Sequence, residues 1–221
     1  MPHKILIVCG IAASLLYAAM LVFVPMQWES YSSTSQTVSE LSAIGAPTRP
    51  LWVVLGILYD LLLIAFGCGV WMSAGKRGLR IAGGLLIATG VIGPVWPPMH
   101  LRGEGFTLTD TLHVAFTMVW GVLALSTIGF SAAALGRRFR IYSIATIGLM
   151  LVFGGWTGLD GPRVAAGLPT PWVGLWERIN IAGFVIWVVV LAVTLLRGRV
   201  PSESRRSALP PAALRATSAP S

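Results

Sequence analysis

The chain has 221 residues, of which 55% are hydrophobic and only 11% charged, against roughly 25% charged in an average soluble domain. A fold in water would have to expose broad apolar patches, so this composition excludes an ordinary soluble globule and implies a chain dissolved in lipid. The net charge of +8 does not indicate nucleic acid, because the basic residues form short clusters between apolar runs, with no aromatic–basic face and no binding motif.

Six apolar segments follow one another, at about 5–26, 51–74, 80–96, 111–135, 141–158 and 175–196. A helix needs about 20 apolar residues to cross a hydrocarbon core of about 30 Å. Four segments meet that length, and the third and fifth are short. The first is too long for a signal-peptide core, and Pro25-Met26-Gln27-Trp28 is a poor cleavage context, so it is read as a retained helix. The expected fold is an all-α, polytopic transmembrane bundle of six helices in a single domain, 1–196. The Pro-, Ser- and Ala-rich stretch 197–221 reads as a disordered basic cytoplasmic tail.

Orientation is read from the basic residues. With the N-terminus inside, twelve of the sixteen are cytoplasmic, in clusters around Lys4, Lys76–Arg80, Arg137–Arg140 and the tail; only Arg49, Arg102, Arg163 and Arg178 lie outside. This bias places both termini in the cytoplasm. Arg80 precedes Trp96, and Arg140 precedes Trp156, by the same spacing. This suggests related hairpins, although an inner Arg and an outer Trp suit any short crossing helix.

The segment "YSSTSQTVSELSAIGAP" (31–47) is a polar island between oily runs and falls on the outside in this topology. Thr37-Val38-Ser39-Glu40 fits a capping box, in which the Thr hydroxyl and the Glu carboxylate satisfy each other's backbone amides. Gly45 and Pro47 supply the stop. A short helix over about 38–44 is expected, with Val38, Leu41 and Ile44 turned to the bundle. A solvated connector is the alternative.

Asp60 lies deep in "LWVVLGILYDLLLIAF". An ionised Asp at that depth costs about 3 kcal/mol or more, so it is expected to face the interior, either as a proton or ligand site or bonded to a neighbouring helix. In "LTDTLHVAF", Asp110 and His113 are three apart and share a helical face. They make an acid/base candidate pair, with a helix cap at Thr109 or Asp110 as the plainer reading. In "PTPWVGLWERIN", Arg178 is expected to pair with Glu177, Asp160 or Asp110, with Asn180 slightly deeper.

By topology His100, Glu104, Asp110, His113, Asp160 and Glu177 map to the outer rim. Two outward His residues fall short of a usual zinc ligand set, so no metal and no other cofactor is expected. No GxSxG or equivalent supports a serine nucleophile near His113. Cys9 and Cys68 lie in apolar runs and read as inert buried thiols.

"QTVSELSAIGAP", "LTDTLH" and "PTPWVGLWERIN", on a six-segment frame, resemble an uncharacterised family of small bacterial integral membrane proteins with a Ser-Glu-Leu loop after helix one. The resemblance spans most of 5–196. It implies six helices in a bacterial plasma (inner) membrane and carries over no catalytic residue.

The expected function is therefore a multi-pass membrane protein with an outward polar cavity roofed by residues 27–50. A non-catalytic binding, sensory or structural role is favoured. The alternatives are an enzyme acting on a lipid or lipid-linked substrate, using Asp110 and His113, and a small proton-coupled transporter using Asp60. Candidate ligand or proton groups are Asp60, His100, Asp160, Glu177, Arg178 and Asn180, with Thr37, Ser39 and Glu40 in the loop. The expected partners are membrane lipids and a lipid or small-molecule ligand, not nucleic acid.

Overall fold

A computed structural model describes residues 2–198; of the predicted tail, Arg197 closes the last helix and residues 199–221 lie outside the described residues. Six α-helices run α1 Pro2–Phe23, α2 Arg49–Ser73, α3 Arg77–Ile92, α4 Leu108–Ala134, α5 Arg137–Ala165 and α6 Val173–Arg197, with 3-10 turns at Pro25–Gln27, Val38–Ser42 and Gly93–Val95. All six are long and apolar enough to cross a membrane, the third when its 3-10 turn is included. Each helix packs on its neighbours in the chain, and α6 packs back on α1, closing the ring.

Large apolar side chains point both ways. Phe66, Trp187, Phe184, Ile128 and Leu191 fill the centre, while Leu15, Val54, Met118, Val122, Leu151 and Ile186 cover the outside. Water would penalise that second set, whereas hydrocarbon accepts it. This is the architecture of a multi-pass membrane protein.

With no hydrophobic drive between helices inside lipid, close backbone contact and buried hydrogen bonds hold the ring. The α2–α3 crossing is tight at Gly67 and Gly83, where an added Cβ would meet the facing backbone at 2.8 Å and 2.6 Å. Ser14 on α1 donates to the Val185 carbonyl on α6 at 3.1 Å. The Trp187 indole donates to Ser143 on α5 at 3.0 Å.

Helices α3 and α5 depart most from the expected bounds. Helix α3 starts at Arg77 and stops at Ile92, where Gly93-Pro94 tightens the chain into a 3-10 turn. Helix α5 runs on to Ala165 with Pro162 inside it. Glycines 155, 158 and 161, which resemble a stop, face open space. In lipid the backbone has no alternative partner, so the helix continues through them. Trp96 therefore caps the turn after α3, while Trp156 sits inside α5, and the two Arg–Trp spacings are not structurally equivalent.

Candidate functional site

At one end of the ring three connections meet: residues 24–48, 93–107 and 166–172. The first is anchored by its own chemistry. Thr37 caps the Val38–Ser42 turn, and Glu40 accepts from the Thr37 amide at 2.7 Å, completing the expected capping box. Val38 and Leu41 are buried as expected. Ile44 is not: the chain extends after Ser42, and the Ile44 amide donates to Met99 at 2.8 Å, forming an isolated bridge to the second connection.

Glu40 is fully buried, and Arg102 from the second connection reaches it with two prongs, Nε to Oε1 and Nη2 to Oε2, both 2.7 Å. A two-pronged guanidinium–carboxylate pair is among the strongest hydrogen-bonded arrangements available to a protein. These bonds also raise the Arg102 pKa above its ordinary value. The same guanidinium donates to the Ser35 carbonyl and to Thr170 in the third connection, and Thr170 in turn donates to Ser35. One arginine thus ties all three connections together.

Helix α6 holds the loop from below. Its first amides, Gly174 and Leu175, donate to the Thr34 carbonyl. A Cβ at Gly174 would collide with the Gln36 and Ser33 carbonyls, so only glycine allows this seat. Glu177 accepts from the Val38 amide and from Ser39. Arg178 does not pair with an acid as expected. It donates to the Ser33, Gln36 and Gly174 carbonyls and to the Tyr31 hydroxyl at 2.8 Å. The loop has bare carbonyls to satisfy, and a five-donor fork meets them better than it meets one carboxylate. Burial pushes the Tyr31 phenol up to about 12, with Arg178 opposing.

Asp110 and His113 share a helix but take different partners. Helix α4 begins one turn earlier than expected, with Thr107 as its cap and Asp110 as the reciprocal acid. Asp110 also accepts from the His100 amide at 2.7 Å and contacts the His100 ring at 3.0 Å. His113, 7% exposed, lies between the second connection and the loop. Its Nδ1 is 2.7 Å from the Pro97 carbonyl and 3.1 Å from the Trp96 indole nitrogen. The Pro97 carbonyl can only accept and the Trp96 indole N–H can only donate, so the two contacts call for opposite tautomers; where the ring follows the shorter one, the proton sits on Nδ1. The bare Nε2 then faces Ser39 Oγ at 3.2 Å, and on its other side Ser39 lies 3.4 Å from Glu177. A hydroxyl flanked by an imidazole and a carboxylate has two acceptors for one proton.

The remaining candidates lie elsewhere. Asp160 lines an open cleft of about 310 Å³ with Trp156, Leu159 and Trp176. Asn180 packs on Gly154 of α5. Glu104 is exposed. Asp60 is buried beneath the layer, against the end of α3. No group of three or more His, Cys, Asp or Glu able to hold a metal occurs among the described residues. The sequence reading left out Arg102 and did not join Ser39 to His113. The available signal was Glu40 itself, since a capping-box acid next to buried apolar residues needs a cation.

The sequence model of a family described as "Protein of unknown function (DUF998)" matches residues 11–194. No curated protein and no solved structure matches the chain.

Proposed function

This chain belongs to the DUF998 family, whose function is unknown, and on that footing we propose that its three-connection end faces the outside of a bacterial plasma membrane. There it presents a fixed polar site to a lipid headgroup or a small polar ligand, without catalysis. The observation that carries this reading is the fully buried Glu40 matched by Arg102. The pair locks three connections into one geometry around Ser39, His113 and Glu177, and a site fixed in advance loses little entropy on binding.

Orientation is supported by what the arginines do. At this end Arg49, Arg102, Arg163 and Arg178 each donate to backbone carbonyls, so they serve the structure and do not contradict the inside bias of the others. Single cysteines at Ser35 and Lys76, labelled in intact cells with a membrane-impermeant maleimide, test this: Ser35 should react first, and the reverse order rejects it. Binding is tested by thermal unfolding of purified protein against a panel of lipid headgroups. A ligand that stabilises the wild type and fails on Ser39→Ala supports the site, and no stabilisation by any headgroup rejects it.

One observation favours a second reading, an enzyme acting on a lipid ester. His113 Nε2 is turned to the Ser39 hydroxyl within hydrogen-bond reach, and with its proton on Nδ1 toward Pro97 the ring can serve as a general base. In that case a fluorophosphonate serine probe labels the wild type at Ser39 and leaves Ser39→Ala and His113→Ala unlabelled.

A further inference from the structure

Asp60 stands apart from the paired charges above it. It is eleven residues into α2, about 16 Å along a helix of 1.5 Å rise, near the middle of a 25-residue span, and it is only 9% exposed. No hydrogen bond from a described residue bears on its carboxylate. The carboxylate is pressed onto the α-carbon of Gly93, so that a Cβ there would overlap both its oxygens.

Gly93 follows the last residue of α3. The carbonyls of that last turn are the negative end of the helix dipole, and the next residue, Pro94, has no N–H to offer. Among the described residues, the titratable groups within electrostatic range are the phenols of Tyr17 on α1 and Tyr59 on α2. The Thr89 hydroxyl of α3 is already donated to the Leu85 carbonyl. The guanidiniums of the polar end are committed to Glu40 and the loop carbonyls. An anion here would face a negative helix end with no cation to match it. A protonated carboxyl carries no charge for that end to oppose.

We infer that Asp60 is a proton-binding site, a neutral carboxylic acid seated in mid-membrane against the carbonyl end of α3. One short turn joins this seat to the polar site. The turn Gly93–Val95 ends at Trp96, whose indole lies on His113, and the next residue, Pro97, places its carbonyl 2.7 Å from His113 Nδ1. This inference goes beyond the binding reading and does not depend on it.

The test is infrared spectroscopy of the purified full chain in lipid nanodiscs, grown with carbon-13 at the aspartate side-chain carboxyl. The chain contains three aspartates, Asp60, Asp110 and Asp160, so labelling separates their bands from those of glutamates. The expected result at neutral pH is a protonated-carboxyl band that moves with the label and with heavy water and is lost in Asp60→Asn. Should Asp60→Asn fail to fold, Asp60→Glu replaces the labelled band with an unlabelled one. Absence of a protonated aspartate band at neutral pH, or its persistence in Asp60→Asn, overturns the inference. Loss of the band when sodium replaces choline at constant pH also overturns it, in favour of a metal cation.

Discussion

The two ends of the bundle use the same residue type for different purposes. At the three-connection end every arginine is tied to backbone carbonyls, and Arg102 also to a buried acid. At the other end Arg77, Arg80, Arg137 and Arg138 are exposed, while Lys76 and Arg140 reach carbonyls, those of Ala134 and Ala132 at the close of α4. The first end spends positive charge on holding irregular backbone in place near the membrane. The second leaves it at the surface, where it can meet anionic headgroups. A count of basic residues alone therefore understates the asymmetry.

That contrast can be broken by substitution. The largest effect is expected for Arg102→Ala, which leaves Glu40 buried without a cation and costs about 3–5 kcal/mol. Arg138→Ala, at the exposed end, stays within about 0.5 kcal/mol. Denaturant unfolding in detergent measures both, and equal effects would erase the distinction. Next comes Glu177→Ala, which deprives the Val38 amide of its acceptor and Ser39 of one of its two and costs about 1–3 kcal/mol. Gly174→Ala forces a methyl group against the Gln36 and Ser33 carbonyls, an overpacking cost also about 1–3 kcal/mol; protease nicking within 31–48 should rise in both variants. Lys76→Ala removes a donor from the end of α4 and costs about 0.3–1 kcal/mol. The smallest effect is the alkaline one. The Tyr31 pKa is raised in the folded state to about 12, so its contribution is full below its ordinary value near 10 and is lost as pH rises through 10 to 12. Tyr31→Phe should flatten that part of the stability–pH curve.

Much of the fold was legible because lipid imposes one strong rule, an unbroken apolar run for each crossing. The rule located all six helices and failed only at their ends. It could not say that α3 stops at Gly93 while α5 passes through Pro162, because the outcome depends on which partners the backbone finds in place. The capping box at Thr37 and Glu40 was legible too, since its four residues are adjacent. The candidate site was not. Arg102 meets Glu40 across 62 positions, and His113 meets Ser39 across 74. Local spacing made Asp110 the natural partner of His113, yet Asp110 is consumed by Thr107 and His100. Likewise Arg178 had acids close by in sequence and went to carbonyls, because the loop's unsatisfied groups are a property of its path.

The most direct test of the clamp is a double-mutant cycle on Glu40→Gln and Arg102→Gln, read by denaturant unfolding in one detergent. A buried pair joining three connections predicts that the double variant is markedly less damaged than the sum of the singles, with a coupling above about 1 kcal/mol. Losses that add to within about 0.5 kcal/mol would contradict it, and the loop would then be held by something other than this pair.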